Sequence, residues 1–586
     1  MKIIRIISVL FILISSCDGL FSQIRDRSQI PEKYKWDLTD LYLTDEAWTE
    51  SKNQVLKKIE LIPSFKNTLA ESSSNMLDCL SFLTDIQEEM RRLGSYTWNK
   101  SRQDTRNYKY QVLSQETNQM YGKYNSYTAF IEPEILKIDE STIKKFINNE
   151  PALKPYSFYL NDLMRRKKYT FSENEEKLIA ETGQMVRAPS TIYNVFMNTE
   201  FTGEINNYIR TLSALMDAKI NVDVYNTRVR GYKDCLEMTL YPDNIPVEVF
   251  HNLISNANNN LDKFYRYLNI RKRLLGVDTL NISDLSSPLV SGFDKKYDIE
   301  EAKELIMESL QPLGQEYISV VKKAFMNRWI DIYPTLGKRS NAYGDFGAYQ
   351  GHPYILLNFM GTFQNMSTLT HEIGHAVHTY LSDRNQAYPN AFYSTFVAEI
   401  SSLVNEELLK KKLLKDIKDD DLRLYYLLET IESSIFNRVQ VSEFELSLHR
   451  EVENGNNLSA DVINGIYLES MRKYYGHDQG ICIIPDNLGM NWAFDRLLFL
   501  RAYPIYRYAT SHTAASILAE KIFNKKEGVL EKYLDFLSAG GSDYPIDILK
   551  KAGVDLTSSE SFEKTMDSME RSMEEIEKIL DKKGIK

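Results

Sequence analysis

The chain has 586 residues, of which 43% are hydrophobic and 26% are charged, and its net charge is −10. This composition is typical of a globular protein, and the length indicates more than one packed unit. Only 25 glycines and 16 prolines are present, too few for the turns of a β-sandwich or barrel of this length. The acidic balance argues against nucleic-acid binding through a large basic surface. We therefore expect a mostly helical protein.

The first segment, residues 1–22, has the order of a secretory signal peptide: basic residues, a short apolar run over residues 6–14, then small residues. The apolar run is too short to span a bilayer stably. The residues up to Cys17 resemble a bacterial lipobox, which would make Cys17 a lipidated N-terminus. Cleavage after Ser22 would instead give a soluble mature protein. In either case we expect an extracytoplasmic location, in the periplasm, in the cell envelope or secreted, and we prefer the lipid anchor.

Several downstream segments have the pattern of a regular element. Apolar stripes over residues 83–93 and 562–580 predict amphipathic helices. Residues 354–359 have the composition of a strand. A helix is predicted to begin shortly after it, with Asn365 or Ser367 as the N-cap.

Three further cysteines follow the signal segment, Cys79, Cys235 and Cys482. Because these cysteines are few and odd in number, we expect no disulfide framework, despite the expected export. No Cys-x-x-Cys pair is present, so a thiolate zinc cluster is not expected.

The predicted helix contains the pattern His-Glu-x-x-His at residues 371–375. Residues four apart lie on one helix face, one turn apart, so His371 and His375 can bind a single zinc ion. Glu372, beside the first ligand, can reach the metal-bound water and act as general base. His378 lies about 10 Å from His371 along the axis at 1.5 Å per residue. We therefore expect His378 to be a packing or supporting residue.

A catalytic zinc needs a third protein ligand and one open position. The residues after the second histidine do not follow the metzincin pattern, which leaves a carboxylate on a later helix. Glu399 follows His375 at a distance that lets the first helix end and a second return. Glu406 and Glu407 are its rivals, and Glu399 is preferred.

Taken together, the motifs resemble those of oligoendopeptidase F, within the thimet-oligopeptidase-like zinc peptidases. The resemblance covers roughly residues 33–575, nearly the whole mature chain. The matching segments are Trp36–Tyr42, Gly337–Tyr343, His352–Asn358, His371–His378, Ala398–Ser402, Tyr508–Ser511, Ala539–Pro545 and Ala552–Asp555.

The resemblance implies a predominantly all-α fold: a two-part helical body that encloses a deep substrate channel, with a small β-sheet beside the zinc-binding helix. It implies an N-terminal oligopeptidase F-type domain over residues 23–205 and a catalytic zinc metallopeptidase domain over residues 206–586. It also implies that the strand at residues 354–359 lines the cleft and pairs with substrate backbone, as an edge strand can.

The same resemblance assigns roles to single residues. One zinc ion would be held by His371, His375 and Glu399. Tyr508, and with less support Tyr506, would donate to the oxyanion of the tetrahedral intermediate.

The chain departs from the family in one respect. The family has a histidine about ten residues before its Tyr-Ala-Thr-Gly motif, and this chain has none there. The last residue of that motif is Ser511 instead of glycine. Arg496, Arg501 or His512 are the candidates to replace the missing group.

The sequence thus predicts an exported zinc metalloendopeptidase that hydrolyses internal bonds of short oligopeptides, with Glu372 as general base. The first alternative is a zinc dipeptidyl carboxypeptidase, and the second is a peptide-binding lipoprotein with weak or lost turnover. The expected partners are oligopeptides, with membrane contact only through the N-terminal lipid anchor. We expect a monomer or a small homo-oligomer.

Overall fold

The computed structural model describes residues 25–585, except for 173, 174, 177, 180, 181, 291–294, 432 and 433. The predicted signal peptide, with Cys17 and Ser22, lies outside the described residues. The described part of the chain is predominantly helical and has only short strands, so the predicted all-α fold class with a small sheet is confirmed. Cys79, Cys235 and Cys482 are buried free thiols.

The helices have the following bounds, in chain order. They are α1 (Asp45–Leu61), α2 (Ser73–Gln103), α3 (Tyr108–Thr128), α4 (Ile131–Leu136), α5 (Glu140–Asn149), α6 (Ser157–Arg166), α7 (Gly183–Val195), α8 (Ile209–Arg230), α9 (Cys235–Leu240), α10 (Val247–Asn259), α11 (Leu261–Leu275), α12 (Ile299–Ser309), α13 (Gly314–Met326), α14 (Phe363–Asn385), α15 (Ala398–Asp416), α16 (Asp420–Thr430), α17 (Ser434–Glu453), α18 (Ala460–Tyr475), α19 (Arg496–Leu500), α20 (Tyr506–Phe523), α21 (Val529–Ser538), α22 (Pro545–Lys551) and α23 (Ser559–Lys582). The strands are β1 (Leu280–Asn281), β2 (Ile330–Asp331), β3 (Tyr343–Asp345), β4 (Tyr354–Leu356) and β5 (Cys482–Ile483).

The chain divides into two compact units, neither of them continuous in sequence. The first comprises the described residues of Met1–Ser157, Asp294–Phe392 and Leu537–Gly540. The second comprises those of Phe158–Phe293, Tyr393–Phe536 and Gly541–Lys586. The domain division at residues 205 and 206 stays a prediction.

In the first unit, the long helix α2 contacts strand β3 through hydrogen bonds of Ser95 and Asn99. It begins at an N-cap, Ser72, whose side chain accepts a hydrogen bond from the backbone nitrogen of Asn75 at 3.1 Å. The predicted apolar stripe over residues 83–93 is buried. The helix predicted from the 3.6-residue periodicity is therefore present, and its apolar face is buried.

The first unit also holds a three-stranded sheet in the order β2-β4-β3. Strand β4 pairs in parallel with β2 and antiparallel with β3, with Gly344 opposite Ile355. The predicted strand is thus present but shorter, and its role as an edge strand is wrong, because both of its edges are occupied. The side chains of β4 are buried. The two outer strands of the sheet are β2 and β3.

A buried ion pair fixes the segment between β2 and β3. The Lys338 ammonium lies 2.6 Å from the Asp331 carboxylate and donates to the Tyr333 carbonyl oxygen at 2.7 Å. Arg27 binds the other carboxylate oxygen. Burial lowers the pKa of Lys338. Burial would raise the pKa of Asp331, but Lys338 and Arg27 outweigh it and hold that pKa below its ordinary value. The lysine of the Gly-Lys-Arg-Ser motif is therefore structural.

In the second unit, α15 packs along α20 over much of its length. The C-terminal helix α23 buries its apolar stripe at residues 562–580 against neighbours that include α16 and α20, which confirms the predicted amphipathic helix. None of the described helices combines the length and the hydropathy that a membrane span needs.

Candidate metal centre

Helix α14 carries the histidine pair and begins with a reciprocal cap. Thr362 is the N-cap: its hydroxyl accepts from the Asn365 backbone nitrogen at 3.1 Å, and the Asn365 side chain accepts from the Thr362 backbone nitrogen at 3.4 Å. This capping box satisfies donors that have no partner within the helix. The helix therefore starts before the predicted N-caps, and Asn365 serves as the third residue of the box.

The two histidines point their rings at one place. The Nε2 atoms of His371 and His375 are 3.1 Å apart, and both side chains are half-buried. Two nitrogen ligands at 2.0–2.1 Å in tetrahedral geometry would lie about 3.3 Å apart. The observed separation therefore fits two ligands of one zinc ion.

Glu399 completes the group. One ligand atom from each of His371, His375 and Glu399 lies within 4.8 Å of the others. Glu399 sits in the first turn of α15, where the helix dipole favours a negative charge. Ser402 Oγ donates to the Glu399 carbonyl oxygen at 2.9 Å. The rival Glu406 lies two turns further along α15, about 10 Å away at 1.5 Å per residue, and is outside the group.

His378 is fully buried on α14. Burial, together with the nearby His375, lowers the pKa of His378 to about 3. Its imidazole is therefore neutral and packs inside the first unit, in the role expected from its distance along the helix.

Glu372 lies under the edge strand. Its side chain is buried, and a Cβ atom built on Gly344 of β3 would lie 3.5 Å from Glu372 Oε2 and 3.6 Å from His375 Cβ. The absence of a side chain at Gly344 keeps this approach open. Glu372 therefore lies beside the backbone of β3.

Tyr508 is in the first turn of α20 and is half-buried. Two contacts join the starts of α15 and α20: Ser511 Oγ donates to the Phe396 carbonyl oxygen at 3.3 Å, and Arg507 donates to Thr395 Oγ1. Tyr508 and Glu399 are thus carried at the same end of two helices that pack together. The role of Tyr508 as an oxyanion donor stays a prediction.

Tyr506 has a different environment. It is completely buried, its ring lies 5.4 Å from that of Phe250, and burial raises the pKa of its hydroxyl. The hydroxyl has no hydrogen-bond partner among the described residues. This environment favours a packing role, and donation to substrate by Tyr506 stays a prediction.

The candidates to replace the missing family histidine differ in exposure. Arg496 and Arg501 are exposed, whereas His512 is half-buried on α20. The structure adds Arg438 of α17, whose guanidinium carbon lies 5.3 Å from the centre of the Tyr508 ring. Sequence reasoning missed Arg438 because it is far from Tyr508 along the chain and belongs to no motif.

Family models match most of the chain. The model of peptidase family M3 matches residues 197–568, and that of oligopeptidase F matches residues 134–202.

The chain is also similar to individual proteins. Oligopeptidase PepF of Bacillus subtilis is 33% identical, over 95% of this chain and 89% of its own length. Group B oligopeptidase PepB of Streptococcus agalactiae is 31% identical, over 95% of this chain and 99% of its own length. The crystal structure of oligoendopeptidase-F from Enterococcus faecium superposes with a TM-score of 0.71 at 26% identity. The superposition covers 92% of this chain and 99% of that one. The predicted family and enzyme class are confirmed: the chain belongs to peptidase family M3, among the oligoendopeptidases F, and is a metallopeptidase.

Proposed function

We propose that this protein is a zinc-dependent endopeptidase that hydrolyses internal bonds of short oligopeptides. The observation that carries the proposal is the group formed by His371, His375 and Glu399, with the buried carboxylate of Glu372 next to it in sequence and under strand β3. Two imidazoles and one carboxylate are a donor set that zinc takes in hydrolytic enzymes.

When bound, zinc supplies Lewis-acid activation of the scissile carbonyl and of water. Glu372 takes a proton from the attacking water and delivers it to the nitrogen of the leaving amine. Tyr508 donates a hydrogen bond to the oxygen that becomes negative as the carbonyl is attacked.

Strand β3 provides the backbone with which the peptide pairs. It is one of the two outer strands of its sheet, and Gly344 brings it close to Glu372. Main-chain pairing with an edge strand recognises extended peptides with little dependence on their side chains. This binding mode suits an enzyme that acts on many short peptides.

We further propose that the protein is exported and held at the membrane through lipidated Cys17, on the basis of the order of residues 1–22. Cys17→Ser should move the protein from the membrane fraction to the soluble extracytoplasmic fraction. A wild-type protein found free after cleavage at Ser22 would contradict the lipid anchor but leave export standing.

The enzymatic proposal is tested with an internally quenched peptide, with and without a zinc chelator. Glu372→Gln preserves shape but removes the base, and we expect it to lower kcat by about 10²–10⁴-fold without loss of zinc. Glu531→Gln, at an exposed position on α21, is the matched control and should retain full activity. Equal turnover in wild type, chelated wild type and Glu372→Gln would overturn the mechanism.

Product analysis distinguishes the two alternatives. An endopeptidase cleaves a peptide whose C-terminus is amidated, whereas a requirement for a free C-terminus would indicate a dipeptidyl carboxypeptidase. Peptide binding without cleavage in the zinc-loaded wild type would indicate a binding protein.

A further inference from the structure

We propose that a pocket between β3, α2 and α3 is a specificity pocket that takes an aromatic or large apolar side chain from the substrate residue paired opposite Asp345. The inference rests on the proposed pairing of substrate with β3. It adds a preference for particular side chains to a binding mode that is otherwise mostly main-chain.

The pocket has a volume of about 390 Å³ and lies wholly within the first unit. A cavity of about 150 Å³ is enough to hold benzene, so the space admits a six-membered ring or a longer side chain. Its apolar lining consists mainly of Met90, Trp98, Tyr121, Tyr124, Phe346 and Phe392.

The strongest charge at the pocket is already neutralised. Arg91 pairs with Asp383 at 2.5 Å and donates to the carbonyl oxygens of Phe346 at 2.8 Å and Gly347 at 2.9 Å. Its guanidinium carbon lies 4.9 Å from the centre of the Phe392 ring. Arg91 therefore holds the rim in place, and little of its charge is left for a ligand.

The carboxylate at the pocket is also engaged. Asp345 Oδ1 accepts from the Gly347 backbone nitrogen at 3.0 Å and from Ser95 Oγ. Both formal charges thus have protein partners, and aromatic faces dominate the rest of the lining. A ring or an aliphatic chain gains more from such a lining than a charged group does.

The lining is held in a fixed arrangement before any ligand arrives. The rings of Trp98 and Tyr121 stack at 5.9 Å, and the Tyr121 hydroxyl donates to the Met90 carbonyl oxygen at 3.1 Å. Gln87 donates to the Tyr124 hydroxyl at 2.8 Å. Pre-organisation of this kind lowers the entropy that binding costs.

The alternation of β3 directs one substrate side chain to this pocket. Gly344 faces Glu372 on α14, whereas Tyr343 and Asp345 face α2, where Tyr343 donates to Asn99 at 2.6 Å. Residues paired directly across two strands point to the same face of a sheet. The substrate residue opposite Gly344 therefore faces Glu372, and its neighbour opposite Asp345 points towards the pocket.

The test scans one phenylalanine through each position of an otherwise alanine-rich quenched peptide. We expect wild type to prefer phenylalanine over alanine by at least tenfold in kcat/KM at one position close to the cleaved bond, and to show no such preference for lysine there.

Two variants distinguish loss of the pocket from a general loss of activity. Phe392→Ala removes an aromatic wall, and Asn125→Trp, at an exposed lining position, fills the space. Each should lower the phenylalanine-to-alanine ratio at that position at least fivefold and leave kcat/KM for the alanine peptide within twofold. Phe494→Ala, a half-exposed phenylalanine in the second unit, is the control and should change neither value.

A binding measurement tests the proposed pocket even if the protein does not cleave the peptides. Calorimetry on Glu372→Gln compares the Kd values of the phenylalanine and alanine peptides, with and without Asn125→Trp. No difference between the peptides, an unchanged ratio in both pocket variants, or a preference for lysine would overturn the pocket. Loss of chelator-sensitive cleavage with the binding preference intact would overturn only the proposed function.

Discussion

Gly344 lies directly over Glu372: a Cβ atom added to this glycine would be 3.5 Å from the Glu372 Oε2 atom. That distance is ordinary van der Waals contact, so a methyl group fits there but leaves no room for more. The site of the proposed base is therefore closed on one side by the backbone of β3. The size of the residue at position 344 therefore decides whether Glu372 keeps its position beside β3.

Substitutions at Gly344 should consequently show a graded effect. Gly344→Ala should leave kcat/KM within about threefold, whereas Gly344→Val should lower it by about 10²-fold, because displacement of the reacting groups by about 1 Å can cost that much. Zinc content should not change in either variant. Steady-state kinetics on a quenched peptide provides the measurement. Gly465→Val, at a helical position with no atom within 4 Å of the added Cβ, is the control, and equal losses at both sites would refute this interpretation.

Zinc retention should distinguish Glu399 from Glu406, two of the three glutamates of α15. Glu399→Gln removes the carboxylate from the group with His371 and His375 and should weaken zinc binding by at least about tenfold, since even residues that only support a metal ligand contribute about 10–100-fold. Glu406→Gln should retain the metal. Zinc content after dialysis against a weak chelator reports the difference. Loss of zinc from Glu406→Gln, with Glu399→Gln unaffected, would identify Glu406 as the third ligand instead.

The parts of the site that follow from local periodicity were predictable from the sequence. His371 and His375 share a helix face by spacing alone, and Glu372 is adjacent to them. Glu399 follows a connection whose path the sequence does not define. Spacing alone therefore could not exclude Glu406 as the third ligand. The resemblance and then the geometry favoured Glu399.

Strand order and the pocket could not be predicted in the same way. Residues 354–359 have strand composition, but the sequence contains no signal that β2 and β3 take both edges of β4. That arrangement depends on long-range contacts such as that of Arg27 with Asp331 at the end of β2. The specificity pocket likewise needs α2, α3 and β3 together, and Arg438 reaches Tyr508 only through tertiary packing.

The two tyrosines of α20 should behave differently. Tyr508→Phe removes the proposed donor and should lower kcat by about 10²–10³-fold with KM nearly unchanged. Tyr506→Phe removes a buried hydroxyl without a partner among the described residues, so its effect on kcat should be small and the fold should be unchanged or slightly more stable. Kinetics and urea unfolding on both variants test this. A larger kcat loss in Tyr506→Phe would exchange the roles of the two residues.

Arg438 should support Tyr508 through its contact with the ring. Arg438→Lys retains a cation that can still lie over the ring, whereas Arg438→Met does not. We expect Arg438→Met to lower kcat by about tenfold, from a contact of about 1–2 kcal/mol, and Arg438→Lys to recover most of the loss. In a Tyr508→Phe background, Arg438→Met should have little further effect on kcat, and an undiminished effect there would show that Arg438 acts independently.

The ion pair of Lys338 and Asp331 should contribute to stability rather than to turnover. Asp331→Asn leaves a buried ammonium without its carboxylate and should cost about 3–5 kcal/mol of unfolding free energy, measured by urea unfolding at pH 7. The folded-state pKa of Asp331 lies below its ordinary value, which is about 3.9 in an unfolded chain. The contribution of Asp331 is therefore complete above about pH 4 and is lost as the pH falls through the folded-state pKa.

The stability gap between wild type and Asp331→Asn should accordingly be constant from pH 7 down to about pH 4 and narrow below it. Asp478→Asn, at an exposed turn position, should show almost no gap at any pH. A gap that widens on acidification would mean that Asp331 takes up its proton more readily in the folded protein than in the unfolded chain. In that case, the two cations that contact Asp331, Lys338 and Arg27, would not be what stabilises its charge.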